Sequence, residues 1–169
     1  MPFETPDLCG PSVEVPERVE TEQFVVRPLR VEDAELDYEA VTNSREHLLG
    51  TFGADDDWPQ ADLTLRQNRI DVAWHEKEFQ RRDAFTYAVF DPEETEELGC
   101  VYVQPTRAPA DAAVYFWVSN AGTERGLCDA IEARVRRWVV EDWPFDAVAY
   151  PGRDVPWSEW EARVGGDAG

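Results

Sequence analysis

Seven consecutive apolar residues, Ala112-Ala113-Val114-Tyr115-Phe116-Trp117-Val118, constrain this chain more than any other feature. A strand turns successive side chains to opposite faces, so this one is apolar above and below and must be covered on both sides. Val114, Phe116 and Val118 would face one way, Tyr115 and Trp117 the other. Ser119-Asn120-Ala121-Gly122 then breaks the strand. Beyond it, Leu127, Ile131, Val135 and Trp138 recur at helical spacing and predict a helix from near Thr123 to about Glu141, stopped by Pro144. Glu132 and Arg136 would pair on its outer face. The combination requires an α/β (α+β) domain with a central sheet and helices on both faces.

The remaining segments fit that plan. Phe24 to Leu29 reads as a short strand, and Val31 to Val41 as a helix with acids in its first turn. A long helix is predicted from Asp62 to about Arg82, capped by Asp62 or Thr64. Leu65, Val72 and Phe79 form one apolar column on it; Leu63, Ile70 and Trp74 form another nearly opposite, which predicts cover on two sides. Residues 85–90 and 98–103 are two strands joined through Asp91-Pro92-Glu93-Glu94-Thr95-Glu96-Glu97, a hairpin. Residues 145–150 read as a last strand, and 157–164 as a turn or two of helix. Residues 1–20, with prolines at 2, 6, 11 and 16, read as an extended acidic arm before a single domain over 21–169.

Charge limits the partners. Sixteen basic residues against 36 acidic ones give a net charge of −20, and Lys77 is the sole lysine. Self-repulsion of that size opposes compaction in dilute buffer and is relieved by salt. This suits a salt-rich cytoplasm, as in a halophile. A nucleic-acid backbone or an anionic membrane would meet a like charge, so neither is expected as a partner. At 43% hydrophobic residues the chain is too apolar for disorder, yet no run approaches the roughly 18 residues of a membrane span. The first residues have neither the basic region nor the apolar stretch of a signal peptide, so a cytoplasmic location is expected. Cys9, Cys100 and Cys128 form no paired spacing, and no disulfide or metal is expected. His75-Glu76 opens like a zinc-protease helix, but Phe79 stands where the second histidine must be, which excludes that chemistry.

The order strand, helix, helix, hairpin, apolar strand, glycine-containing turn, long helix, strand resembles the GNAT superfamily of acyl-CoA-dependent N-acyltransferases. "FVVRPLRVEDAELDYEA" is similar to the family's opening strand and helix, and "FTYAVFDPEETEELGCVYV" to its central hairpin. "AVYFWVSNAGTERGLCDAIEARVRRWV" is similar to its cofactor-carrying strand, loop and helix, and the resemblance spans roughly residues 20 to 150. It implies acetyl-CoA as acyl donor, with Tyr115, Phe116, Trp117 and Val118 serving the pantetheine. Gly122, Thr123, Glu124, Arg125, Gly126, Leu127 and Cys128 would serve the pyrophosphate through backbone N–H groups at a helix N-terminus. The family's motif begins with Gln or Arg and ends with Gly or Ala. Here Thr123 and Cys128 hold those positions around Gly126, and Glu124 adds a like charge beside the phosphates. The C-terminal tyrosine acid of the family has no counterpart, since Tyr150 does not match its position.

The resemblance implies acetyl transfer to a small amine by a monomer or homodimer, with no metal. The alternative is a non-catalytic module of the same fold that has lost acyl-CoA. Cys128 reads first as a small packed residue and only second as a nucleophile, for which no histidine is near in sequence. His47 is a candidate base beside the acidic loop. Tyr102, Tyr115 and Trp117 are core or pocket aromatics. Asp55 to Asp57 and Glu93 to Glu97 read as solvated acidic faces.

Overall fold

The hairpin forms the middle of the sheet. In the computed structural model, which describes residues 8–10 and 13–165, β3 (Phe85–Phe90) pairs antiparallel with β4 (Glu97–Gln104), from Phe85 opposite Val103 to Phe90 opposite Glu97. The Asp91 carboxylate organises the turn, accepting from the backbone N–H groups of Thr95 at 2.7 Å and Glu96 at 2.9 Å. Outward on one side lie β2 (Val25–Pro28) and β1 (Val19–Glu20); on the other lies β5 (Ala112–Val118), all antiparallel to their neighbours. Last comes β6 (Val148–Ala149), parallel to β5 and paired with it only at Ala112 and Ala113.

Among the described residues six α-helices accompany the sheet: α1 (Ala34–Asn43), α2 (Arg45–Leu48), α3 (Leu65–Arg81), α4 (Asn120–Glu124), α5 (Cys128–Asp142) and α6 (Trp157–Gly165). Val114, Phe116, Val101 and Tyr87 pack with Ile131, Val135 and Trp138 of α5. Trp117, Cys100, Tyr102 and Ala88 pack on the other face with Ala34, Val41, Leu48 and Val72 from α1, α2 and α3. The alternation of 114, 116 and 118 against 115 and 117 is therefore as the sequence predicts.

Three details differ from the sequence reading, but the cap of α3 is one of the two expected: Thr64 Oγ1 accepts from the Gln67 N–H, while the Gln67 side chain accepts from the Thr64 N–H at the start of this helix. Its second apolar column is not covered: Ile70 is 61% and Trp74 57% exposed. One sheet face has room for one stripe of this helix, and Asn68 and Val72 fill it. The helix expected from Thr123 is two helices, because Gly126 adopts a left-handed φ of +71° and α5 starts only at Cys128. The last strand is two residues long, not six.

The described part of the N-terminal arm belongs to the core. Leu8, Cys9, Val15 and Val19 are buried there. Arg82, at the C-terminus of α3, holds the arm by donating to Val13 O at 2.9 Å, and Tyr87 donates its hydroxyl hydrogen to Pro16 O at 2.5 Å. Pro2, Pro6 and Pro11 lie outside the described residues. No helix among the described residues is long and apolar enough to cross a membrane.

Candidate functional site

β5 and β6 part company after two residue pairs, and the gap between them opens a cleft. From Val114 onward β5 has β4 on one side and no strand on the other. Alternate residues of an antiparallel strand turn both backbone groups the same way, so Phe116 and Val118 present theirs to the gap. Arg153 Nη2 donates to Phe116 O at 2.9 Å, and His47 Nε2 lies 2.8 Å from Val118 O. A carbonyl only accepts, so Nε2 of His47 carries the hydrogen and Nδ1 is left as the ring's proton acceptor. The cavity at this edge is about 370 Å³. Its walls are Tyr115 to Val118, the loop Leu49 to Thr51, Thr123, Cys128 and Glu132 of the helical side, and Pro151 to Arg153 with Trp157.

The helical turn beside the cleft has a definite set of free donors. Gly122 N–H donates to Ser119 Oγ, and the N–H groups of Thr123, Arg125, Gly126 and Leu127 donate to carbonyls within the turn. The first backbone bond of α5 runs from Ile131 N–H to Leu127 O at 2.9 Å. Cys128, Asp129 and Ala130 are therefore the orphan donors of the helix start, where no side chain caps it. That is the positive end of a 15-residue helix at the edge of the cleft.

A second polar constellation lies inside the α1–α3 side. Asp37 Oδ2 accepts from Asn68 Nδ2 at 2.8 Å, and Glu97 faces Asp37 with both carboxylate oxygens buried and no donor among the described residues. Cys100 completes the group, the three side-chain donor atoms lying within 4.8 Å of one another. Burial, and then the Asp37 charge, push the Glu97 carboxyl well above its usual range; burial raises Asp37 as well. Two carboxylates cannot both ionise at this separation out of water, so the pair retains a proton. Asp37 opens to a cavity of about 350 Å³ shared with Asp56, Asp71, His75, Trp58 and Tyr102. Glu97 opens to one of about 360 Å³ shared with Glu39, Glu96, Glu124 and Ser119.

Comparison with solved structures fixes the architecture. The ribosomal-protein-S5-alanine acetyltransferase from Vibrio fischeri superposes with a TM-score of 0.63 at 19% identity, over 91% of this chain and 82% of that one. The ribosomal L7/L12 alpha-N-protein acetyltransferase RimL, in complex with coenzyme A, gives 0.56 at 16%, over 73% and 68%. MccE, the microcin C7 self-immunity acetyltransferase in complex with acetyl-CoA and AMP, gives 0.53 at 12%, over 70% and 63%. The six-stranded, mostly antiparallel sheet with its six helices is theirs.

The fold is the GNAT fold.

At these identities the likeness is one of architecture; the sequence matches no protein-family model and no curated protein.

On the GNAT fold the site residues named from sequence divide into two groups. Tyr115, Phe116, Trp117, Val118, Thr123 and Cys128 line the cleft together. Gly122 is buried below it, with Val118 and Leu98 so close that an added Cβ would lie 2.6 Å and 2.8 Å from their atoms. Leu127 is core, Arg125 is tied to Glu96 at 2.7 Å, and Glu124 lines the neighbouring acidic cavity. An added Cβ at Gly126 would meet nothing within 4 Å, so its backbone conformation, not its small size, requires glycine. Cys128 is exposed, 3.4 Å from Thr123 Oγ1, and is not the packed residue read from sequence.

Glu132, Pro151, Gly152, Arg153 and Trp157 were not legible as site residues. Pro151-Gly152 is a turn signal, but only the parting of β5 and β6 aims the next side chain into the gap. Tyr150 is packed on Phe116 under the Arg136 guanidinium, and burial raises its hydroxyl further from titration, so the structure gives it no acid's position.

The buried carboxyl pair carries a prediction about stability. A carboxyl raised in the folded state binds more protons there than when unfolded, so stability falls as pH climbs above the ordinary glutamate range. Glu97→Gln supplies an N–H toward Asp37 without that proton. It should raise the melting temperature at pH 8, by an effect of about 1–3 kcal/mol, and change it little at pH 5. Equal melting shifts at both pH values would show that the pair does not hold a proton.

Proposed function

We propose that the chain is an acyl-CoA-dependent N-acetyltransferase. The observation that carries this reading is the free edge of β5 opening beside the uncapped start of α5. The residues present fit the donor: orphan N–H groups of Cys128, Asp129 and Ala130 suit a pyrophosphate, and the outward backbone groups of Phe116 and Val118 suit the amides of a pantetheine arm. Acetyl-CoA would supply an acetyl thioester whose carbonyl carbon is open to attack by an amine, with the C–S bond breaking and the thiol leaving. The chain's contribution is positioning, polarisation by backbone N–H groups, and acceptance of the amine's proton. We assign that role to His47, which lines the cleft and whose neutral ring, donating from Nε2 to Val118 O, accepts at Nδ1.

For the other substrate, the cavity bordered by Asp37, Asp56, Asp71 and His75 favours a positively charged amine. Its size suits a small amine or the amino end of a peptide, and the neighbours named for ribosomal-protein acetylation make the peptide end worth equal trial. With no Gln or Arg at Thr123, acetyl-CoA should bind with a Kd of about 10–100 μM. Calorimetry in molar KCl, followed by thiol-release assays with polyamines and with basic peptides, tests both halves. Absence of binding by acetyl-CoA would overturn the acyltransferase reading. That outcome would favour the second reading, a non-catalytic module of the same fold that has lost acyl-CoA, which Thr123 in place of Gln or Arg supports.

A further inference from the structure

Among the described residues Arg153 is the one Arg or Lys lining the β5 cleft, in a chain whose net charge is −20. Its guanidinium lies 3.7 Å from the centre of the Phe116 ring and donates to Phe116 O at 2.9 Å, filling the gap that the departing β6 leaves. Nη1 is 3.3 Å from Glu132 Oε1. The base of the side chain is fixed as well: Arg153 N–H donates to Tyr150 O at 3.1 Å, and the preceding Gly152 has φ +79° and packs against the Trp157 indole, where an added Cβ would lie 2.5 Å from it. Glu132 follows Cys128 by four residues on α5, about one helical turn or 6 Å along the axis, so the carboxylate that holds Arg153 belongs to the turn next to the orphan N–H groups. Of the other nearby cations, Arg125 pairs with Glu96, and Arg136 pairs with Asp154 at 2.8 Å and with the second oxygen of Glu132 at 3.1 Å.

Two consequences follow from that placement. A ligand amide seeking Phe116 O must displace the guanidinium, which costs the ligand a charge-assisted contact. A ligand that also carries phosphate recovers the cost, because the displaced guanidinium, pivoting at Glu132, meets an anion beside the start of α5. We propose that Arg153 is a specificity residue of the acyl-donor site, admitting phosphate-bearing donors and obstructing phosphate-free ones. It does the work of the cationic or amide side chain that Thr123 lacks. This rests on the acyltransferase reading above.

The test compares acetyl-CoA with S-acetylpantetheine, which has the same acyl arm and no phosphate, on wild type, Arg153→Ala and Arg153→Lys. Calorimetry is run at the lowest salt at which all three show the same near-UV circular dichroism. Arg153→Ala should weaken acetyl-CoA by about 10- to 100-fold and leave S-acetylpantetheine unchanged or tighter, with Arg153→Lys between. The opposed response of two probes sharing one groove is what a purely structural arginine would not produce. If wild type binds acetyl-CoA and Arg153→Ala shifts both probes alike, or neither, the proposal is wrong and the acyltransferase reading stands. If wild type binds neither probe, both fall together.

Discussion

Val114→Asp should leave no folded protein at 25 °C in any salt. Val114 has no exposed surface, lies between β4 and the α5 face, and has apolar neighbours in its cluster. A carboxylate there is unpaired and out of water, at a cost on the order of 5 kcal/mol or more, comparable with the roughly 5–15 kcal/mol that hold a domain together. Phe116→Asp, two residues along on the same face, is the instructive contrast. The Arg153 guanidinium already lies against that ring, so the new carboxylate gains a partner and the loss is mainly that of a buried aromatic. Far-ultraviolet circular dichroism and gel filtration in 2 M KCl should find Val114→Asp unfolded or aggregated and Phe116→Asp folded with a lowered melting temperature. A folded Val114→Asp protein would mean that β5 is not covered by α5.

Thermal stability should rise by roughly 10–20 °C between 0.1 M and 2 M KCl. The acids are crowded as well as numerous: Asp55, Asp56 and Asp57 are exposed in succession, and Glu39, Glu96 and Glu124 border one cavity. Against these the described chain sets nine arginines paired with carboxylates, most of them solvent-exposed and individually worth little. The screening length falls from about 10 Å at 0.1 M to about 3 Å at 1 M, which removes repulsion between neighbouring side chains. Relief of about 5 kcal/mol in a chain of this size corresponds to that melting shift. Scanning calorimetry across the range, with sodium sulfate at matched ionic strength as control for water-ordering effects, checks it. A flat profile in KCl would remove salt adaptation as the reason for the charge.

The sequence by itself determined the parts of this protein governed by short-range rules. Periodicity set which residues of β5 share a face and which residues of α5 face the core; Asp91 and its neighbours announced the hairpin turn; and the order of these pieces was enough to name the fold. It also located six cleft-lining residues, because strand and turn are contiguous in the chain. The tertiary structure alone decided the rest. Ile70 and Trp74 obey helical spacing yet face outward, since periodicity reports which residues share a side and not whether anything covers that side. Glu124 and Arg125 lie in the expected motif but do not line the cleft: Glu124 borders the neighbouring acidic cavity and Arg125 pairs with Glu96. Asp37 and Glu97 are 60 positions apart and become one proton-holding pair only when α1 docks on β4. Arg153 enters the cleft because β6 leaves β5 after two residues, a divergence set by packing of the whole sheet and encoded in no local run of sequence.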